Sequence, residues 1–461
     1  MKLSIIAIAL AIGGCADILD IPDRKSSDEA TCEGSIKIKI LYDATGGTAD
    51  VSVPFYKGQQ DSIREINETG GIRGCTIEFE AVDYGYVPSS AQMYYEKWKG
   101  DTAAWNEVAA ILGWGSSDSL LLAPRVRDDK KPFLSASYFG GLAAPEPVER
   151  DVSIPELSAS NFTEYEFPQH FTSDGFGYNF FGGTDYSTGA RIAMFQVLSL
   201  GGKRVGFFYC SADYCKGPIP AARQYAKQLG LSLGRDLNIE LTDTQATFNS
   251  KVLTYFQQEK TQATMDPSYK IVDWVWGGNT TKTSAFMGKA IDAMNTQLGL
   301  NVQLIVNNWG FDENLYTMCG AACVDKVHGI MPFVAYGDSR AGEMAKVMTL
   351  HDKWRMRDMA TEGSVTYKNV RYVQGYVNVM LFKKAADKVI SLGKPVNGPN
   401  IKEALETFQG VDTGGLTGAL TYTAADHRPQ STESIYKIDN TGKLVLEASR
   451  TITMVDTWLG W

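Results

Sequence analysis

Ser35-Ile36-Lys37-Ile38-Lys39-Ile40 alternates polar and apolar residues with the period of a β-strand. A helix-like stretch from about Val53 to Asn67 follows and stops at Thr69-Gly70-Gly71. Ile77, Phe79 and Ala81 then alternate again. Strand, helix, strand in this short compass is the unit of a parallel sheet. The rhythm continues outward. Ser89 or Ser90 caps a helix in which Ala91, Tyr94, Tyr95 and Trp98 fall at i, i+3, i+4 and i+7. A buried strand at Val108–Leu112, a helix from about Ser119 and a strand at Pro132–Ala136 complete the first α/β unit.

Residues 140–178 break the pattern. They are rich in Pro, Glu, Ser and aromatics and read as an insertion loop. A second unit then begins with strand Arg204–Tyr209 and a helix over Ile219–Leu229, closed by Gly230. Strands are expected at Leu237–Leu241, Ile271–Trp276 and Val302–Val306, with helices near 248–258 and 284–298. Later helices are expected near 340–355, 372–391 and 400–408. A hairpin joins Ile435–Ile438 to Leu444–Leu446. Open α/β sheets take ligands beyond the carboxyl ends of their strands. Two such units facing each other form a cleft that a hinge can close.

The formal net charge of −9 argues against nucleic acid, which calls for basic patches. The chain beyond residue 34 is too long for one core and suits two lobes. Leu3–Ile12 is apolar but too short to span a bilayer, and with Lys2 it fits an export signal. Ile12-Gly13-Gly14-Cys15 resembles the lipobox of bacterial lipoproteins, which implies a signal peptide over 1–14 and a lipid on Cys15. Residues 15–34, with Pro22-Asp23-Arg24-Lys25-Ser26-Ser27, read as a tether. Six cysteines remain, which allow 15 pairings in an oxidising compartment. The close spacings favour Cys210–Cys215 and Cys319–Cys323, leaving Cys32–Cys75. A zinc site would want nearby histidines, but His170, His328, His351 and His427 are scattered. Disulfides are the favoured reading, with no metal and no cofactor.

Ile40-Leu41-Tyr42-Asp43-Ala44-Thr45-Gly46-Gly47 and Ile66-Asn67-Glu68-Thr69-Gly70-Gly71-Ile72-Arg73-Gly74 resemble type I periplasmic binding proteins of the leucine/isoleucine/valine-binding group. So do Ala110-Ile111-Leu112-Gly113-Trp114-Gly115, Asp185-Tyr186-Ser187-Thr188-Gly189-Ala190-Arg191 and Gln374-Gly375-Tyr376. The resemblance implies two doubly wound parallel-sheet lobes joined by three crossovers, near 180–188, 330–337 and 414–420. One lobe would hold 36–182 and 335–415, the other 188–330 and 420–461. It implies a monomeric substrate-binding lipoprotein of an ABC importer, held at a bacterial membrane by its lipid alone. Such a protein takes a small ligand into the interlobe cleft by hinge closure and hands it to the permease subunits.

The resemblance also implies site residues. In Gly115-Ser116-Ser117-Asp118, at a helix start, Ser116 and above all Ser117 would bind a ligand carboxylate. Ser117 also suits a plain N-cap. Ser137 and Tyr138 stand in the loop after the fourth strand. Tyr214 and Asn279 would come from the second lobe. Amino-acid binders of this group place an acid where this chain has Asn308 and Trp309, so a standard branched-chain amino acid fits poorly and a carboxylated or apolar ligand fits better. Asp312 or Glu313 would substitute if the loop ran differently. Trp114 and Trp309, among Gly and polar residues, suit exposed cleft walls, whereas Trp276 suits the core.

Catalytic signatures fail. The serines after Gly113-Trp114-Gly115 are misplaced for a nucleophile elbow, and Gly277-Gly278-Asn279-Thr280-Thr281-Lys282 lacks the Gly before the Lys of a phosphate loop. A non-enzyme is expected. The alternatives are a ligand-sensing receptor acting on a separate partner, or a binder of a larger lipid-like molecule.

Overall fold

The computed structural model describes residues 30–143, 177–355 and 367–454. Cys15, its tether and most of the 140–178 insertion lie outside them.

β1 (Ser35–Tyr42), β2 (Thr76–Asp83), β3 (Val108–Gly113), β4 (Phe133–Ser135) and β5 (Asn179–Phe180) form a parallel sheet in the order β2-β1-β3-β4-β5. Its central strand β3 is buried throughout, as a strand covered on both faces must be. On β1 the buried residues are Ile36, Ile38, Ile40 and Leu41, while Lys39 reaches Glu80 on the neighbouring strand at 2.6 Å.

The second sheet holds β6 (Arg204–Tyr209), β7 (Ser232–Asn238), β8 (Trp274–Gly278), β9 (Gln303–Val306), β10 (Val327–Met331), β11 (Thr432–Ile438) and β12 (Leu444–Thr451), in the order β12-β11-β10-β9-β8-β6-β7. All neighbours run parallel except the hairpin β11–β12 and its junction with β10. Two expectations need correction here. β7 lies at 232–238, not 237–241, because an edge strand needs no continuous apolar run; Ile239 is the buried residue just past its end. β10 was not expected at all, since Val327-His328-Gly329-Ile330-Met331 is short and interrupted by His and Gly.

The longer helices are α1 (Ala49–Glu68), α2 (Pro88–Gly100), α3 (Ser116–Asp128), α4 (Tyr186–Ser199), α5 (Ile219–Gln228), α6 (Gln245–Met265), α7 (Thr281–Leu298), α8 (Met344–Arg355), α9 (Val370–Ser391) and α10 (Gly398–Leu405). None is long and apolar enough to cross a membrane. α8, α9 and α10 return to the first lobe, where α9 packs along α1. Gly58 and Gly375 make that approach possible: a Cβ on Gly58 would stand 2.2 Å from the Tyr372 carbonyl, and one on Gly375 2.0 Å from that of Phe55.

The chain passes between lobes after β5, after β10 and before β11. The three passages lie side by side. Val334 N–H donates to Leu416 at 3.0 Å, the Thr184 hydroxyl donates to the Thr432 carbonyl at 2.9 Å, and Gly183 is pressed between Pro332, Tyr138 and Phe333. Disulfides join Cys32–Cys75, Cys210–Cys215 and Cys319–Cys323, with Cα atoms 5.2, 5.3 and 6.0 Å apart. The first joins the segment before β1 to the start of β2, closing the longest covalent loop of the three.

Candidate functional site

The loop after β1 is organised by Asp43. Its buried carboxylate accepts from the Gly46 and Thr48 amides at 2.6 and 2.9 Å and from the Thr48 hydroxyl at 2.7 Å. That hydroxyl in turn accepts from the Trp114 indole N–H at 2.9 Å. The orientation of Trp114, at the end of β3, is therefore set by a chain of hydrogen bonds that starts on β1.

Gly115 follows, so crowded that a Cβ would sit 2.3 Å from the Asp118 carboxylate. Ser116 opens α3. Its hydroxyl accepts from the Ser137 hydroxyl at 2.8 Å and donates to the Tyr186 hydroxyl at 3.4 Å. The Trp309 indole donates to the same Tyr186 oxygen at 2.8 Å. One hydrogen-bonded chain thus runs from the first lobe (Ser137, Ser116) to the second (Tyr186, Trp309).

Aromatic rings close the same gap. Trp309 meets Trp114 edge-on at 5.0 Å and stacks on Tyr138 at 5.5 Å, and Tyr86 meets Tyr214 edge-on at 6.4 Å. Trp114, Trp309, Tyr86 and Tyr214, with Thr48, Val51, Tyr186 and Thr280, line a cavity of about 20 Å³, room for about one water. The lobes are closed upon each other, and any larger ligand needs them to part. Tyr214 lines this cavity, and its buried hydroxyl has no hydrogen-bond partner among the described residues, a group that a ligand can satisfy.

The expected residues divide. Trp114, Ser116, Ser137, Tyr214 and Trp309 meet around the closed gap. Trp114 and Trp309 are not exposed walls; each is 4% exposed, because the opposite lobe covers it. Ser117 points away, partly exposed and with no side-chain hydrogen bond among the described residues, since one helical step turns it from the face that carries Ser116. Tyr138 lies behind the gap, where its hydroxyl accepts from Gln374 at 3.2 Å. Asn279 is held at the Ile239 carbonyl, 3.4 Å away, and does not line the cavity. Asn308 uses its carbonyl to accept from Arg371 at 2.6 Å and faces a separate small cavity beside Trp276, which is fully buried.

The acids near Asn308 are committed elsewhere. Asp312 accepts from the Thr281 hydroxyl at 2.8 Å and pairs with Arg371 at 3.4 Å. Glu313 accepts from the Val370 amide at 2.8 Å and from that of Tyr336. Burial pushes the Glu313 carboxyl up to about 7.

Several residues at the site carried no sequence signal of their own. Tyr86 sits in the loop after β2, at the carboxyl end where ligands are expected. Tyr186 lies in a matched stretch without an assigned role. Asp50, in the first turn of α1, accepts from the Lys282 amide at 2.9 Å, so a carboxylate of one lobe faces the start of α7 in the other. Burial raises it to about 6.

Asp118 gives the site a pH dependence. Burial pushes its carboxyl up to about 7, against the hydrogen bond from Tyr84 at 2.6 Å. A folded-state value above the usual 3.8 means stability that is full below about pH 4 and lost as pH rises through 7. Asp118→Asn keeps the Tyr84 contact and carries no charge. Relative to the wild type it should gain about 2 kcal/mol between pH 5 and pH 8, read from urea midpoints at the two values. An equal pH response in both proteins would refute the assignment.

A family model described as periplasmic binding protein matches residues 35–443. An ABC transporter substrate binding protein from Aeropyrum pernix is 27% identical, with 92% of this chain and 97% of that one covered at a TM-score of 0.71. Two further structures share the fold. A fatty acid ABC transporter substrate-binding protein from Thermomonospora curvata is 20% identical, with 91% and 92% covered and a TM-score of 0.67. A branched chain amino acid ABC transporter from Thermus thermophilus with bound valine is 15% identical, with 93% and 98% covered and a TM-score of 0.71. No curated protein sequence matches significantly.

Proposed function

We propose, from the premise that this chain belongs to the periplasmic binding protein family, that it is the substrate-binding component of an ABC importer, tethered by a lipid on Cys15. The ligand enters the gap between Trp114 and Trp309, the lobes close over it, and the permease subunits take it from the closed form. The substrate-binding role printed for the Aeropyrum pernix relative supports the transport function. The observation that carries the ligand site is the meeting of both lobes at one point, where the Ser116–Ser137 hydroxyls, the start of α3 and the Trp114–Trp309 contact converge.

The same residues indicate the ligand class. Ser116, Ser137 and the free amides of α3 favour a carboxylate or a neutral acceptor. The rings favour an apolar or aromatic body. No carboxylate lines the cavity among the described residues, and Asp312 and Glu313 are already paired. The other acids of the site, Asp50 and Asp118, already accept from the Lys282 amide and the Tyr84 hydroxyl and do not line the cavity, so a buried ammonium would lack a dedicated partner, which disfavours free amino acids.

A thermal-shift panel of amino acids, carboxylic acids, amides and fatty acids tests this, because stabilisation grows with ligand concentration over its dissociation constant. A carboxylic acid or amide with an apolar body should give the largest shift. With that compound, Ser116→Ala should weaken binding by about 1–3 kcal/mol, while Ser117→Ala should leave it within a few tenths. The reverse order would move the ligand to the outer serine. A panel in which nothing binds would remove the proposal, and one led by free leucine or valine would overturn the ligand class.

A further inference from the structure

A second opening lies on the outer face of the first lobe. α1 presents Thr48 and Val51 to the interlobe cavity at its start, and Ser62 and Ile66 to this opening near its end. At 1.5 Å per residue the two stand roughly 20 Å apart. The opening runs between α1, α8 and α9 and encloses about 510 Å³, a volume typical of small-molecule sites.

Its chemistry is polarised. The floor is apolar: Ile66, Leu350 and Val379 are buried and Met380 is half-buried. The acids on the wall are occupied. Glu65 pairs with Lys353 at 2.6 Å, and Glu343 accepts from the Tyr376 hydroxyl and pairs with Lys346 at 3.0 Å. Asp412 accepts from the Gly414 and Gly415 amides at 2.8 and 3.2 Å. Lys383 and Lys384, adjacent on α9, have no carboxylate partner among the described residues. An apolar trough that ends at two uncommitted ammonium groups selects a molecule with an apolar tail and one anionic head.

We propose that this groove binds a medium-chain monocarboxylate, a fatty acid anion, at a site separate from the interlobe cleft. The carboxylate meets Lys383 and Lys384, and the chain lies over Ile66, Leu350 and Val379. Because the groove belongs to one lobe, its occupancy does not depend on which ligand the cleft takes.

Calorimetric titration of the full chain with octanoate, decanoate and 1-octanol tests it. The site should persist unchanged in Ser116→Ala, which weakens only the cleft. Octanoate should occupy it saturably, decanoate roughly tenfold more tightly for its two added methylenes, and 1-octanol at least tenfold more weakly than octanoate. Lys383→Ala with Lys384→Ala should weaken decanoate at this site at least tenfold. Thr349→Trp, an exposed residue on the groove wall, should block it by filling the trough. Absence of a saturable site in Ser116→Ala overturns the proposal and, where the wild type binds, assigns the fatty acid to the cleft. So does binding in Ser116→Ala that the lysine and Thr349 variants leave whole.

Discussion

Trp309→Ala opens the cleft and removes ligand binding: this is the expected result. The indole is 4% exposed. It donates to Tyr186 at 2.8 Å, meets Trp114 at 5.0 Å, stacks on Tyr138 at 5.5 Å and lies 5.0 Å beneath the Arg371 guanidinium. Truncating a buried Trp removes about 3–5 kcal/mol, and here the Trp114, Tyr138 and Arg371 contacts all span the two lobes. Moving a two-state equilibrium from 1:99 to 99:1 takes about 5.5 kcal/mol, so a loss of this size shifts the closed population strongly. Small-angle scattering of the ligand-free variant should show a larger radius of gyration than the wild type. Affinity for the best compound of the panel should fall at least a hundredfold, while far-ultraviolet circular dichroism stays native. Trp309→Phe keeps an aromatic ring against Tyr138 but loses the N–H and the pyrrole part of the indole, and should retain closure at a loss of about 1–2 kcal/mol. An unchanged radius and affinity in Trp309→Ala would mean that the rings are packing alone.

Arg371→Met should be the most damaging single change to folding. The side chain is fully buried at the start of α9, in the first lobe, yet apart from Gln374 its hydrogen-bond and ion-pair partners lie in the second. It donates to the Asn308 carbonyl at 2.6 Å and the Phe311 carbonyl at 2.8 Å, and pairs with Asp312 at 3.4 Å. Burial lowers its pKa, opposed by the Asp312 and Glu313 carboxylates, so it needs those partners to stay charged. Removing one member of a buried pair leaves an uncompensated charge and costs about 3–5 kcal/mol. The midpoint of thermal unfolding should fall by about 3–6 °C. Arg371→Met combined with Asp312→Asn should be less harmful than the sum of the two, by about 1–3 kcal/mol, because the stranded carboxylate is gone. Strict additivity would show that the ion pair carries no coupling.

These two residues also mark where reading the chain by itself stops. Trp309 drew notice by its place at a strand end, but as an exposed wall; only the opposing Trp114, almost two hundred positions earlier, covers it. Arg371 gave no sign, because nothing within helical reach explains a cation at the start of an apolar helix. Its partners stand 60 and 63 residues away on the other lobe. Which of Ser116 and Ser117 faces Ser137 is illegible in the sequence for a related reason. Both suit the start of α3, and the side that faces Ser137 is set by how α3 sits on its sheet.

What the chain declares locally is otherwise sound. The alternation at Ile36, Ile38 and Ile40 and the all-apolar run of β3 define strands, because side-chain period is a property of consecutive residues. The cysteine spacings agree with the three bonds observed, since residues four or five apart have few other places to go. The order of strand and helix determined a parallel two-lobed fold, because a parallel neighbour needs a crossover. Tertiary structure alone decided which groups meet: that Tyr186 joins Ser116, 70 positions before it, to Trp309, 123 positions after it, that Asp312 serves Arg371 and not the cleft, and that the lobes rest closed. Those outcomes depend on contacts between segments far apart in sequence, whose approach is set by the packing of whole sheets rather than by any neighbouring residue.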